Sequence, residues 1–290
     1  MEQHLGGRLR LVGGRPPHLQ DVHGIARLEL TAASGSTRLA QLYQRDPLRV
    51  LRPYPAPGDP LTAVIVTTSG GLVGGDRLQT SIAAAPGSSA MVVAQAAEKV
   101  YRSTGPAVDV SIELQVGDGA WLEWLPQETI LFDGARLSRD TCLRLAPSAE
   151  GLAGELLVLG RVHSGERFHR GCVGESWRVS VGGRLLWADA LTLQVSSEAD
   201  LGAAAGFGGA AASATLLHWS PRAAERLELA REALAAVPTL RAGATLLQGL
   251  LLVRWLALDP LTLRRSYAAV WTALRAAAGL PARLPRLWHV

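Results

Sequence analysis

The sequence predicts a mainly β fold with two α-helices near its C-terminus. Three observations point there. Apolar and polar residues alternate with period two from Gly24, strand–turn–strand units recur from residue 24 to about 195, and helix signals gather only after residue 220. Residues 1–23 are Gly-, Pro- and His-bearing and read as a loose leader. "IARLEL" sets Ile25, Arg27 and Glu29 against Ala26, Leu28 and Leu30; "TRLAQLYQR" follows the Ser34-Gly35-Ser36 turn, giving a β-hairpin. "LRVLRPYPAPGDP" reads as a Pro-rich loop, "LTAVIVTT" as a buried strand, "SGGLVGGD" as a Gly-rich turn. "DRLQTSIAAAPGSSAMVVAQAA" has the form strand, Pro-Gly turn, strand. "AVDVSIELQVGDGAWLEWLPQ" repeats that form around Gly117-Asp118-Gly119, and "SWRVSVGGRLLWADALTLQ" around Gly182-Gly183. "LGAAAGFGGAAAS", 201–213, is rich in small residues and reads as a flexible loop. Ser220 can cap a helix with Pro221 at its first position and helix formers from Glu225 to Ala236. "ATLLQGLLLVRWLAL" is long enough for a helix, but its central glycine favours a strand that completes the sheet. A second helix is expected over 260–277, closed by Gly279 and Pro281. The whole reads as one domain over 1–290: the leader, a β body over 24–200, and a helix-bearing part over 214–290.

The chain has 290 residues, enough for a sizeable core; 48% are hydrophobic and only 5% aromatic, so that core rests on Leu, Val and Ala. No signal segment is visible, and the longest apolar stretch, near 244–258, is broken by Gln248, Gly249 and Arg254. A cytoplasmic protein without a membrane span is expected. Cys142 and Cys172 stand thirty positions apart, which fits neither a disulfide framework nor a zinc spacing, so both are read as reduced thiols. The net charge is +4; Lys99 is the only lysine, and the arginines are scattered among acids. No basic stripe with interleaved aromatics marks a nucleic-acid surface. Arginine suits protein–protein surfaces instead.

Four stretches carry candidate chemistry. "SGGLVGGD", 69–76, could cradle a phosphate, but it lacks the Lys-Ser/Thr end of a P-loop and a following helix, so a tight turn is the better reading. "HSGERFHRGC" holds His163, Glu166, His169 and Cys172; these are metal-ligand types, yet the spacings fit no standard motif. On one strand the two histidines would stand roughly 20 Å apart, so solvated loop residues are favoured. "EKVYRS" packs Glu98, Lys99 and Arg102 around Tyr101, and reads equally as a charged strand end, a contact surface or a buried ion pair. "LPQETILFDGARL", 125–137, holds Gln127, Glu128 and Asp133 in a sheet-forming run. Five positions put Glu128 and Asp133 on opposite faces of a strand unless Asp133-Gly134 bends it. No nucleophile stands beside them in sequence.

"SGGLVGGDRL", "QAAEKVYRS", "LEWLPQETILFDGARL", "GRVHSGERF" and the C-terminal "PRLW" follow one another in an order that resembles the urease accessory protein UreD family, called UreH in some organisms. The resemblance covers about 60–290. It implies a fold of two β-sheet layers in a helical, solenoid-like arrangement with two helices near the C-terminus. It also implies a non-enzymatic urease maturation factor, a scaffold and metallochaperone-type chaperone for nickel insertion. Such proteins join UreF and, through it, the GTPase UreG, dock on apo-urease, and offer an internal route for nickel. On that reading Thr68, Ser69, Asp76, Glu128, Asp133 and Glu166 are weak oxygen sites on a nickel path; the competing reading makes them buried, hydrogen-bonded structural partners that fix the strand order. Gly70, Gly71, Gly74, Gly75, Gln95, Lys99, Tyr101, Arg102, Pro126, Gln127, Arg161 and Gly165 form the interface and structural motif. No cofactor is tightly bound; Ni2+ is transient, and no stable metal site is expected. The sequence departs from the family at His163, where a small or apolar residue is usual, and at Cys172. The alternative is a stand-alone β-sheet hydrolase or binding module using the clustered carboxylates.

Overall fold

The structure is a computed structural model that describes residues 22–289. The predicted leader therefore lies outside the described residues except for Val22 and His23, and His23 already belongs to the first strand. β1 (His23–Ala33) and β2 (Ser36–Arg45) form the predicted hairpin, turning through Ser34 and Gly35, both at positive φ. The expected Pro-rich loop opens as a strand instead. β3 (Leu48–Leu51) pairs antiparallel with β4 (Leu61–Thr67), because its four residues precede the prolines that would block a ladder.

From there the chain winds. In order come β5 (Arg77–Ala84), β6 (Ser89–Ala94), β7 (Glu98–Val100), β8 (Val108–Val116), β9 (Trp121–Leu125), β10 (Thr129–Leu131), β11 (Arg136–Leu145), β12 (Glu150–Leu159), β13 (Gly171–Val181) and β14 (Arg184–Val195). The turns at Pro86-Gly87 and Gly117–Gly119 do not close hairpins; each carries the chain from one sheet to the other. Hence β5, β8, β11 and β13 lie parallel in one sheet, while β6, β9 and β12 lie parallel in its partner. Of these three turns, the Gly182-Gly183 turn alone makes a hairpin, β13 with β14. The result is the mainly β, solenoid-like, two-layer stack that the resemblance implied.

The last third is α1 (Glu198–Gly202), β15 (Ala212–Trp219), α2 (Leu227–Ala235), β16 (Arg241–Leu247), β17 (Leu250–Ala257) and α3 (Pro260–Ala277). Among the described residues there are thus three α-helices, where the sequence predicts two. Residues 201–213 are not simply a loop. They complete α1, bury Phe207 and Ala210, and enter β15. The "ATLLQGLLLVRWLAL" run is a hairpin rather than one strand, because Gln248 and Gly249 both take positive φ and fold β17 back on β16. α2 starts later than the sequence suggests. A 3-10 turn over Ala223–Arg226 comes first, which lets Arg226 reach the buried His218. Strand order is β14-β13-β11-β8-β5-β1-β2 in one sheet and β16-β17-β15-β12-β9-β6-β4-β3 in the other, with β7 and β10 attached beside β12.

One core lies between the sheets, built from inward residues such as Leu28, Ile82, Leu114 and Val179 facing Val92, Leu122, Leu157 and Leu217. A second core lies on the far side of the larger sheet, under α3. Asp259 caps that helix by accepting from Leu261 N and Thr262 N, and Pro260 fills its first position. Leu263, Tyr267, Val270, Trp271 and Leu274 follow at helical spacing and bury one face. Gly279, at φ +81°, ends it as predicted. α3 is also fixed by charge. Glu123 of β9 accepts from Trp271 Nε1 (2.7 Å), Trp121 Nε1 (3.1 Å) and Arg275 Nε (3.0 Å). Arg275 also donates to Asp59 (3.2 Å) and to the Pro281 carbonyl (3.1 Å), tying helix, Pro-rich loop and C-terminal tail to one sheet. Among the described residues no helix is long and apolar enough to cross a membrane.

Candidate functional site

The larger sheet is interrupted twice, side by side. Strands β6 and β7 are separated by Gln95-Ala96-Ala97, and β9 and β10 by Pro126-Gln127-Glu128. Pro126 has no N–H to give a ladder, so the strand breaks there. The polar residues of "LPQET" therefore occupy a gap in the sheet, not a strand face. Arg264 of α3 closes that gap from outside: its Nη1 donates to Gln127 Oε1 (2.7 Å) and Glu128 Oε2 (2.5 Å), and its guanidinium stacks on Trp288. Gln127 Nε2 donates to the Leu287 carbonyl (2.9 Å).

Two spaces meet at this gap. An inner cavity of about 290 Å³ lies between the sheets, walled by Thr67, Ser69, Glu98, Pro126, Arg139 and Glu155 among others. An outer cleft of about 650 Å³ runs beside α3, walled by Glu128, Arg161, His163, Leu261 and Arg264. Gln95, Ala96, Ala97, Lys99 and Gln127 line both. Deeper in, Glu155 lines the inner cavity and also a second cavity of about 630 Å³ that reaches Glu175, Asp189 and Arg254.

The polar groups of this interior come from inward positions of otherwise apolar strands. Arg139 on β11 and Glu175 on β13 are register partners, both facing the partner sheet, and they form a short ion pair. Arg139 Nη1 donates to Thr129 Oγ1 (2.9 Å). Glu155 Oε1 accepts from Trp177 Nε1 (2.7 Å). Its other oxygen lies 3.3 Å from Arg139 Nη2, close enough for attraction but misaligned, so no donor satisfies it. Burial, with the Glu175 charge adding to it, pushes the Glu155 carboxyl up to about 8, against the pull of Arg139. At the other end Glu98 accepts from Thr67 Oγ1 (2.5 Å), and burial raises its pKa as well. Ser69 Oγ is buried without a partner.

The structure divides the residues singled out from sequence. Ser69, Gly70, Gly71, Gln95, Lys99, Pro126 and Gln127 line the inner cavity; Glu128 and Arg161 line the outer cleft. The others hold backbone. Thr68 Oγ1 donates to the Pro47 carbonyl (3.1 Å). Asp76 accepts from Val22 N (3.2 Å) and Val73 N (2.9 Å), closing the Gly-rich turn. A Cβ on Gly71 would stand 2.5 Å from the Tyr101 ring, and one on Gly74 would stand 2.1 Å from Ser103 Oγ, while Gly75 takes φ +100°. The loop is a close-packed turn, as expected. Tyr101 donates to the Gly70 carbonyl (2.9 Å) and meets Phe132 edge-on.

Asp133 and Glu166 come together across a loop. Asp133 Oδ1 accepts from His169 N (2.9 Å) and Arg170 N (3.0 Å), and Asp133 N donates to Glu166 Oε1 (3.3 Å). Glu166 also accepts from Arg161 Nε (2.5 Å); burial raises its pKa, but these bonds outweigh it and the net shift is downward. Gly165, at φ +76°, closes the short turn before it. Most of the "HSGERFHRGC" residues, His163 to Arg170, lie on this turn and loop, and Gly171 and Cys172 begin β13, so the stretch is not one strand. Among the described residues, no three His, Cys, Asp or Glu side chains are placed to hold a metal ion. Arg139, Glu155 and Glu175 were missed from sequence. Their signal was a charged residue at an inward position of an alternating or apolar strand.

A winding two-sheet stack with charged residues in the space between its layers defines a β-solenoid-like protein whose distinctive chemistry is internal. The chain belongs to the urease accessory protein UreD family, whose model matches residues 22–289. It is 46% identical over 275 residues to the urease accessory protein UreD of Magnetococcus marinus, covering 93% of this chain and 95% of that one. It is 43% identical over 269 residues to the same protein of Xanthobacter autotrophicus (93% and 90%) and 39% over 272 residues to that of Azorhizobium caulinodans (94% and 98%).

Proposed function

We propose that this chain acts in urease maturation as a scaffold that joins UreF and, through it, UreG, docks on apo-urease in the cytoplasm, and passes nickel through its interior. Membership of an accessory family gives the role in maturation and the interaction with urease and other accessory proteins. The interior route rests on one observation: Glu155, a buried carboxylate with an oxygen that no donor reaches, stands in the wall shared by two cavities. Ion passage needs sites that bind well enough to admit the ion and weakly enough to release it. Oxygens such as those of Glu98, Glu155 and Ser69, set singly along the cavity walls, meet that need better than a closed His/Cys cage. Glu128 stands at the outer cleft, and Thr68, Asp76, Asp133 and Glu166 hold the loops around it. Leu261 (40% exposed) lines that cleft and suits a docked partner.

The test is to express a urease operon in a heterologous host with nickel, with this gene intact, deleted or carrying Glu155→Gln. Deletion is expected to leave urease assembled but nickel-poor. Glu155→Gln is expected to keep UreF co-purifying while urease activity drops. Full activity without the gene would remove the maturation role.

A further inference from the structure

Three of the arginines that look scattered along the sequence meet in space. Arg102, Arg136 and Arg170 come from three separate segments and wall one open cleft of about 560 Å³ at the end of the seven-stranded sheet. Ser103, Thr104, Gln194 and Ser196 line it too. The backbone is built to hold this arrangement. Gly134, at φ +83°, lacks the Cβ that would stand 2.8 Å from the Arg102 side chain, and Arg102 Nε donates to the Asp133 carbonyl (3.3 Å). Arg136, Cys172 and Gln194 stand abreast in register on β11, β13 and β14.

Charge in the cleft is unbalanced. Asp133 is the carboxylate that reaches these guanidinium groups, with Oδ2 3.5 Å from Arg102 Nη2 and 3.8 Å from Arg170 Nε. Its Oδ1 is already taken by two backbone N–H groups. Asp200, beyond the Ser196 wall, accepts from the Ser196 and Ser197 N–H groups. Arg136 is exposed and makes no ion pair among the described residues. Guanidinium groups bind carboxylates in two-point contacts, and one carboxylate does not satisfy three of them.

We propose that this cleft binds an acidic, extended segment of a protein partner, its carboxylates held by Arg102, Arg136 and Arg170. The donors are side chains spread across an open cleft, without the helix N-terminus that builds a compact phosphate site. The cleft crosses the ends of β11, β13 and β14, with Arg136, Cys172 and Gln194 abreast, so an extended segment can lie across them. The inference does not depend on the nickel route.

The experiment is fluorescence anisotropy of a labelled Val-Glu repeat peptide with the full chain at low salt. The variants are Arg136→Glu and, as a control of equal charge change at the far edge of the same sheet, Arg45→Glu. Circular dichroism melts verify that both fold. Arg136→Glu is expected to weaken binding roughly fivefold or more, Arg45→Glu to leave it unchanged, and a Val-Lys repeat not to bind. Equal loss in both variants, or no binding by the wild type, would overturn the proposal. So would displacement of the peptide by inorganic phosphate at sub-millimolar levels, which would mark a small-anion site.

Discussion

His218 is a neutral imidazole locked in place by two neighbours. Its Nδ1–H donates to the Gly151 carbonyl (2.8 Å), which leaves Nε2 to accept from Arg226 Nη1 (2.7 Å). Burial drives its pKa down from 6.5 to about 4; the Gly151 bond opposes this, and the Arg226 charge adds to it. A base with a depressed folded pKa stabilises the fold above its unfolded value and loses that stabilisation as pH falls toward the folded one. Stability should therefore fall between about pH 6.5 and 4, and urea melts of His218→Gln should show a shallower acid slope. Glu155 has the opposite sign. Its raised pKa stabilises below 4.5 and loses that contribution as pH rises through about 8, so Glu155→Gln should flatten the fall in stability between about pH 4.5 and 8. The charges that face Glu155 are Arg139, Glu175 and Asp189. Neither residue announced its role in sequence. Each is a lone polar side chain in an apolar run, "LAGELLVL" for one strand and "LLHW" for the other, and only the opposing strand decides whether it meets a cavity or a carbonyl.

At the scale of elements, one fitting holds the helical side to the larger sheet and another holds that sheet's strands together. Arg275 and Glu123 are fully buried as a pair, and removing one partner strands the other charge. Arg275→Met should cost about 3–5 kcal/mol, read by urea denaturation. Gly151 lets β12 lie against β9: a Cβ there would stand 2.0 Å from the Leu122 carbonyl oxygen and 2.5 Å from the Trp219 ring. Gly151→Ala should cost about 1–3 kcal/mol, with the same measurement as check. Strands were legible because one face is buried and period two survives in β5, β8 and β11. Their partners were not. A Pro-Gly or Gly-Asp-Gly turn reads the same whether the next strand returns in the same sheet or crosses to the other, and here both cross. α3 was legible end to end, since Asp259, Pro260 and Gly279 each have a local physical reason. The α2 start was not, because it depends on Arg226 reaching His218, a tertiary contact.

At the scale of the whole molecule, the two broken strands explain why a sheet segment carries Gln127 and Glu128. The breaks open the larger sheet between an inner cavity and an outer cleft, and Ala96 and Ala97 line both spaces. The motif residues that face this opening could be named from sequence by resemblance; the deeper charges could not, because they come from strands far apart in the chain. The measurement that tests the interior route most directly is transfer of radioactive nickel to apo-urease by the complete accessory complex, with this chain as wild type or as Ala97→Trp. The substitution fills the opening without changing charge. The account predicts that UreF and apo-urease still co-purify with the variant while urease comes out nickel-poor. Full nickel loading through the plugged variant would contradict it.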